Sequence, residues 1–150
     1  MNRLMRTATA LTVSAAMATG VTTALCTGAA AAAASHPAKL TNCAGIGQVA
    51  PREYTLFCGD GNDTLSKLHW QNWGAKQARA TGLDGVNNCT PDCASGKQQN
   101  FPATVTLSEL HRKGNGSSYG LLTLRFTGKV PTGEQRTEQF KITAHGPQIS

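Results

Sequence analysis

Apolar and polar side chains alternate through four separate stretches of the chain. Tyr54, Leu56 and Cys58 share one face of residues 52–58. Ala103, Val105 and Leu107 oppose Thr104, Thr106 and Ser108; Leu122, Leu124 and Phe126 oppose Thr123 and Arg125; Phe140, Ile142 and Ala144 oppose Lys141 and Thr143. A period of two with threonine-rich outer positions predicts half-buried antiparallel strands. Gly114-Asn115-Gly116-Ser117 predicts a hairpin loop between two of these runs, and residues 128–133, with Pro131, predict another connection. Leu65, Leu68 and Trp70, followed by Trp73, fit a strand with a bulge or a short helix from Asp63, and we take the strand. Residues 75–81, between Gly74 and Gly82, place Lys76, Ala78 and Ala80 in alternation, as in a strand packed closely on another sheet. Residues 87–100 are polar and turn-rich and predict a long surface loop. Short strands separated by turns predict an all-β fold, a small antiparallel β-sandwich of immunoglobulin-like type. Its expected core is Leu56, Trp70, Val105, Leu107, Leu122, Leu124, Phe126, Phe140 and Ile142.

The pattern is preceded by a different kind of segment. Arg3 and Arg6 are followed by an uncharged stretch, residues 7–25, rich in Ala, Thr, Val and Leu, and residues 29–34 offer A-x-A cleavage sites. These are the marks of an export signal over residues 1–34, leaving residues 35–150 as a single secreted β domain. Thr and Gly dilute the stretch too far for a spanning helix. Leu25 stands where lipidation of Cys26 requires a small residue. The expected location is extracellular, with no membrane attachment after cleavage. Removing two of the 14 basic residues against 8 acidic ones lowers the formal charge from +6 to +4. The basic residues are scattered and not interleaved with aromatics, which excludes a nucleic-acid platform. They leave a mild preference for anionic wall polymers or acidic partners.

Of five cysteines, four remain after the signal: Cys43, Cys58, Cys89 and Cys93. An even set in a small exported chain predicts a disulfide framework. Three pairings are possible. Local pairing, Cys43 with Cys58 and Cys89 with Cys93, is expected, since Thr90-Pro91-Asp92 is a turn-forming tripeptide. Zinc is disfavoured by the spacing and by an oxidising compartment. No metal and no cofactor is expected.

Gly59-Asp60-Gly61-Asn62-Asp63-Thr64-Leu65 matches the core of the calcium-binding β-roll nonapeptide, but a single copy supplies half a site. A Gly/Asp/Asn turn with side-chain oxygens bonding local backbone is expected, without calcium. No catalytic motif is present: there is no G-x-S-x-G, the mature cysteines are assigned to bridges, and the carboxylates do not nominate a pair. Trp70 and Trp73 are the best candidate binding residues, flanked by His69, either as core residues or as a sugar-stacking or protein-anchoring platform.

The elements Cys58-Gly59-Asp60-Gly61-Asn62, Trp70-x-x-Trp73-Gly74 and Cys89-Thr90-Pro91-Asp92-Cys93-Ala94-Ser95-Gly96, with Leu65 and Leu68 between, resemble a family of small secreted actinobacterial proteins of unknown function. The resemblance covers residues 42–110 and implies export, two disulfides and a β domain, but no activity. Three functions are therefore carried forward. The first is a non-enzymatic extracellular interaction domain whose partner is an extracellular protein or a cell-wall polymer. The second is a secreted protease inhibitor using residues 87–99. The third is a hydrolase using His69.

Overall fold

The computed structural model describes residues 36–150. The predicted export signal and Cys26 lie outside the described residues. Seven strands form one antiparallel sheet in which each strand pairs with the next. Two short strands, β1 (Leu40–Thr41) and β2 (Gly47–Gln48), form a separate hairpin. The sheet runs β3 (Tyr54–Thr55), β4 (Asp63–Gln71), β5 (Ala78–Asn87), β6 (Gln98–Lys113), β7 (Gly116–Phe126), β8 (Thr137–Thr143) and β9 (Gly146–Ile149). It curls into a half-barrel with its apolar face inside.

This corrects the expected sandwich. The chain is all-β and antiparallel, but consecutive strands are hydrogen-bonded neighbours and do not alternate between two sheets. Alternation along a strand says which side chains are buried. It is silent on whether the covering layer is a second sheet or the same sheet curled round.

The bends have identifiable causes. In β4 the register slips by one residue between Ser66 and His69, and Lys67 there has φ 53°. This bulge moves the inward phase from Asp63 and Leu65 to Leu68 and Trp70. Gly82 on β5 faces it: a Cβ at Gly82 would stand 2.7 Å from the Ser66 carbonyl oxygen and 2.8 Å from Leu68 Cδ2. The phase changes again farther along. On β7 the buried positions are Leu122, Leu124 and Phe126, then Tyr119; the switch falls at Gly120, across from Glu109 of β6, which has φ 55°. The sheet thus bends where a residue takes the left-handed region opposite or beside a glycine.

Of the expected core, Leu56, Val105, Leu107, Leu122, Leu124, Phe126 and Phe140 are buried; Trp70 and Ile142 are half-buried and pack against it. Tyr54, Leu65, Leu68, Ala78, Ala80, Phe101, Ala103 and Tyr119 complete the interior, together with Ala38 and Leu40. Burial pushes the Tyr54 phenol up, and its hydroxyl donates to the Thr41 carbonyl at 2.7 Å. The strand expected over 75–81 is displaced: β5 begins at Ala78, and Gly82 lies inside it. The surface loop is shorter than expected, because β6 begins at Gln98. The hairpin loop is Gly114-Asn115, between the paired Lys113 and Gly116.

Both disulfides form as expected, Cys43–Cys58 and Cys89–Cys93. The first ties the β1–β2 hairpin to the end of β3. That hairpin also rests on the β8–β9 turn, where a Cβ on Gly146 (φ 94°) would stand 2.9 Å from Cys43 Cα. Asn42 shapes the hairpin, its Oδ1 accepting from the backbone N–H of Ala44 and Ile46 at 3.0 and 2.9 Å. The two bridges should differ in weight. Cys43→Ser/Cys58→Ser should cost about 3 kcal/mol and Cys89→Ser/Cys93→Ser about 2 kcal/mol, from the lengths of the loops they close. Urea unfolding of the two variants tests this order, and a larger loss in the second would refute it.

Candidate functional site

Trp70 and Trp73 are brought together, and His69 is not. The two indoles meet edge to face at 4.9 Å between ring centroids, and Trp73 meets Tyr119 in the same way at 5.4 Å. Trp70 Nε1 donates to the Pro51 carbonyl at 2.7 Å, and Trp73 Nε1 donates to the Ala38 carbonyl at 2.9 Å. Tyr119 Oη accepts from the Gly74 N–H at 2.9 Å and donates to the Ala75 carbonyl at 3.1 Å. This aromatic row therefore fastens three backbone segments to the sheet. His69 is exposed and points away from it, as alternation from Trp70 requires.

The row positions a cleft that the sequence reading missed. β8 pairs with β7 over Leu121–Arg125 only. The free edge of β7 beyond it is taken by the segment entering β1. Lys39 N–H donates to the Ser117 carbonyl at 2.9 Å, and Tyr119 N–H donates to the Lys39 carbonyl at 3.0 Å. Ala38, one residue back, is the acceptor for Trp73. The cleft lies between this segment and the β6–β7 hairpin and encloses about 540 Å³.

Its charge is of one sign. Lys39 and His36 line one side and His111 and Lys113 the other, with Thr41, Ser117 and Ser118 supplying hydroxyls. None of the ten lining residues is acidic. Two glycines make room for the Lys39 and His111 side chains. A Cβ on Gly47 would stand 2.7 Å from Lys39 Cδ, and one on Gly120 would stand 2.6 Å from His111 Nε2. The Glu109 carboxylate also lies over Gly120, outside the lining. A shallow depression lined by two lysine ammonium groups and three hydroxyls can hold an anion. The one sequence signal for it was Lys113 immediately before the Gly114-Asn115 turn. The approach of Lys39 is a tertiary event.

The calcium-like motif is divided between two environments. Asp60 is exposed and accepts from the Asn62 backbone N–H at 3.1 Å and from Asn62 Nδ2 at 2.9 Å, and these bonds hold its carboxyl below the usual range. Asp63 turns inward and is buried. Among the described residues, no helix is long and apolar enough to cross a membrane. The two disulfides indicate an oxidising compartment.

The aromatic row makes the cleft depend on one indole N–H. Trp73→Phe, which keeps an aromatic ring but deletes the donor to Ala38, should cost at least about 1 kcal/mol and speed amide exchange at Tyr119. Unchanged exchange at Tyr119 would show that Lys39 holds its place without Trp73. Compared with family models, with curated proteins and with solved structures, the chain matches none.

Proposed function

We propose that the chain is a secreted, non-enzymatic binding domain and that an anionic cell-wall polymer is its ligand, taken at the cleft between Lys39 and Lys113. The observation that carries this reading is the lining itself: two lysines, two histidines and three hydroxyl side chains without a carboxylate. A polymer bearing repeated phosphodiester groups suits it, since each group needs only an ammonium and a hydroxyl and the open cleft lets the chain run through. Export, the resemblance to small secreted proteins and the disulfides are consistent with a ligand outside the cell.

A second reading, a secreted protease inhibitor, draws on the loop between β5 and β6. It is exposed, braced by Cys89–Cys93 and contains a cis Thr90–Pro91 bond. Its own side chains consume its backbone donors, however. The N–H groups of Cys89, Thr90, Ser95 and Lys97 donate to Asn87, Asn88, Asp92 and Asn88 side-chain oxygens, respectively. An inhibitory segment must present such groups to the enzyme's sheet edge, which favours the cleft.

Calorimetry with a short poly(glycerol phosphate) and a neutral glycan of equal length tests the proposal. Binding should be confined to the anionic polymer and weaken with added salt. It should fall about tenfold or more in Lys39→Ala/Lys113→Ala, equivalent to about 1.4 kcal/mol. Equal affinity for the neutral glycan, or an undiminished affinity in the double variant, would overturn it. Inhibition of a secreted serine protease at micromolar concentration would restore the second reading.

A further inference from the structure

A second cluster of charge-bearing side chains lies inside the half-barrel, and its reading does not depend on the cleft. Asp63 and Asp84 are 3 % and 0 % exposed. The register pairs Asp63 with Val86 and Leu65 with Asp84, so the two carboxyls are diagonal neighbours on the inner face. None of their four oxygens has a hydrogen-bond partner, and neither has the buried Oε2 of Glu138. Orphaned, fully buried carboxylate oxygens are too costly to leave charged.

The remaining groups come from the β7–β8 connection, residues 127–136, and from β8. Glu138 Oε1 accepts from the Gln135 N–H at 3.3 Å. Glu134 is half-buried beside Glu138. Pro131 is buried and Val130 packs on the core, so the connection is tucked against the interior. The cations here are engaged elsewhere or outside: Arg136 Nη1 donates to the carbonyls of Phe126 and Gly128 at 3.2 and 3.1 Å, and Lys129 is exposed. β3 brings Tyr54, whose hydroxyl is committed to Thr41. β6 and β7 contribute the buried Phe101, Leu124 and Phe126. Among the described residues, no three ligands are placed to hold a metal ion.

The geometry points to a proton-operated clasp: the buried Asp63–Asp84 pair, and Glu134 beside Glu138, hold the β7–β8 connection against the half-barrel while Asp63 and Glu134 keep their protons, and release it when these two charge. A protonated Asp63 donates to Asp84, and a protonated Glu134 donates to Glu138, so each proton converts a repulsion into a hydrogen bond. Burial, then the hydrogen bond that a protonated Asp63 gives to Asp84, pushes Asp63 up to about 9. Burial and the bond to Glu138 push Glu134 up to about 7, and burial raises Asp84 as well. Carboxyls raised on folding stabilise the fold below their ordinary range. That contribution is lost as the pH climbs through the folded values. The loss therefore runs from the ordinary carboxyl range up to about 7 for Glu134 and about 9 for Asp63, and the protein is hardened by acid.

Thermal unfolding between pH 5 and 9.5, with amide exchange normalised for its intrinsic pH dependence, tests the clasp. The wild-type midpoint should fall by at least about 5 °C across that range. Protection should be lost at pH 9 in residues 127–136 while Leu122 and Leu124 stay protected. Asp84→Asn, which keeps the shape and adds a donor to Asp63, should flatten both responses; if it does not fold, Glu138→Gln serves in its place. A flat wild-type profile, or the same slope in the variant, would overturn the proposal. So would a midpoint at pH 9 restored by millimolar calcium in the wild type and not in the variant, which would make the cluster a cation site.

Discussion

Among the described residues one seven-stranded sheet buries its apolar face with only the short β1–β2 hairpin to help cover it, so it has to curl, and this constraint governs the rest of the fold. Curling requires side chains that are small where the sheet bends most and large where it faces itself. β5 supplies the small ones, with Ala78, Ala80 and Gly82 in successive inward positions. Gly82 is indispensable in a physical sense, since the bulge of β4 brings Leu68 and the Ser66 carbonyl into the space a Cβ would take. Opposite, Phe126, Phe140, Tyr119 and the two tryptophans fill the space the curl leaves. Few aromatics are needed because the sheet covers its own interior.

The curl also decides where charge can sit. Asp63 of β4 and Asp84 of β5 are buried inside, and Glu134 of the β7–β8 connection and Glu138 of β8 are half-buried. The cleft with Lys39 and Lys113 is built at the hairpin end of β6, while Asp84 pairs with Phe101 near the other end of the same strand. Every proton retained inside removes a negative charge that would otherwise lower the positive potential at the cleft. Fold stability and surface potential are then linked through the same carboxyls, although they act on different parts of the molecule.

Much of this was legible in the residues, and the failures have physical reasons. Period-two alternation located β6, β7 and β8 and most of their buried side chains, because a half-buried strand leaves that mark whatever covers it. Cysteine spacing gave both bridges, since each closes a local loop. The sandwich failed because layer number is a property of strand pairing, and alternation carries no information about pairing. The cleft was hidden because Lys39 reaches Ser117 and Tyr119 only after the aromatic row has fixed Ala38. Trp73 stands out in the sequence as an aromatic binding platform; the structure gives its nitrogen a backbone partner in Ala38.

The buried acids carry the most general lesson, because their signal was present in the sequence and in phase. Asp63 stands two residues before Leu65, Asp84 continues the series Ala78, Ala80 and Gly82, and Glu138 precedes Phe140 and Ile142 at the same period. A carboxylate in an inward position normally argues that the strand assignment is wrong by one residue. Here three strands each place one there, and the curl brings them to a common region. One such residue is a misfit that a bulge would correct. Several in phase, from strands that are not all neighbours, describe a site whose members can be buried only together and only with protons between them. Burial is the largest cause of each upward shift, and the neighbouring carboxyls add to it for Asp63 and Glu134. An interior of this kind is specified by the acids as much as by the leucines around them.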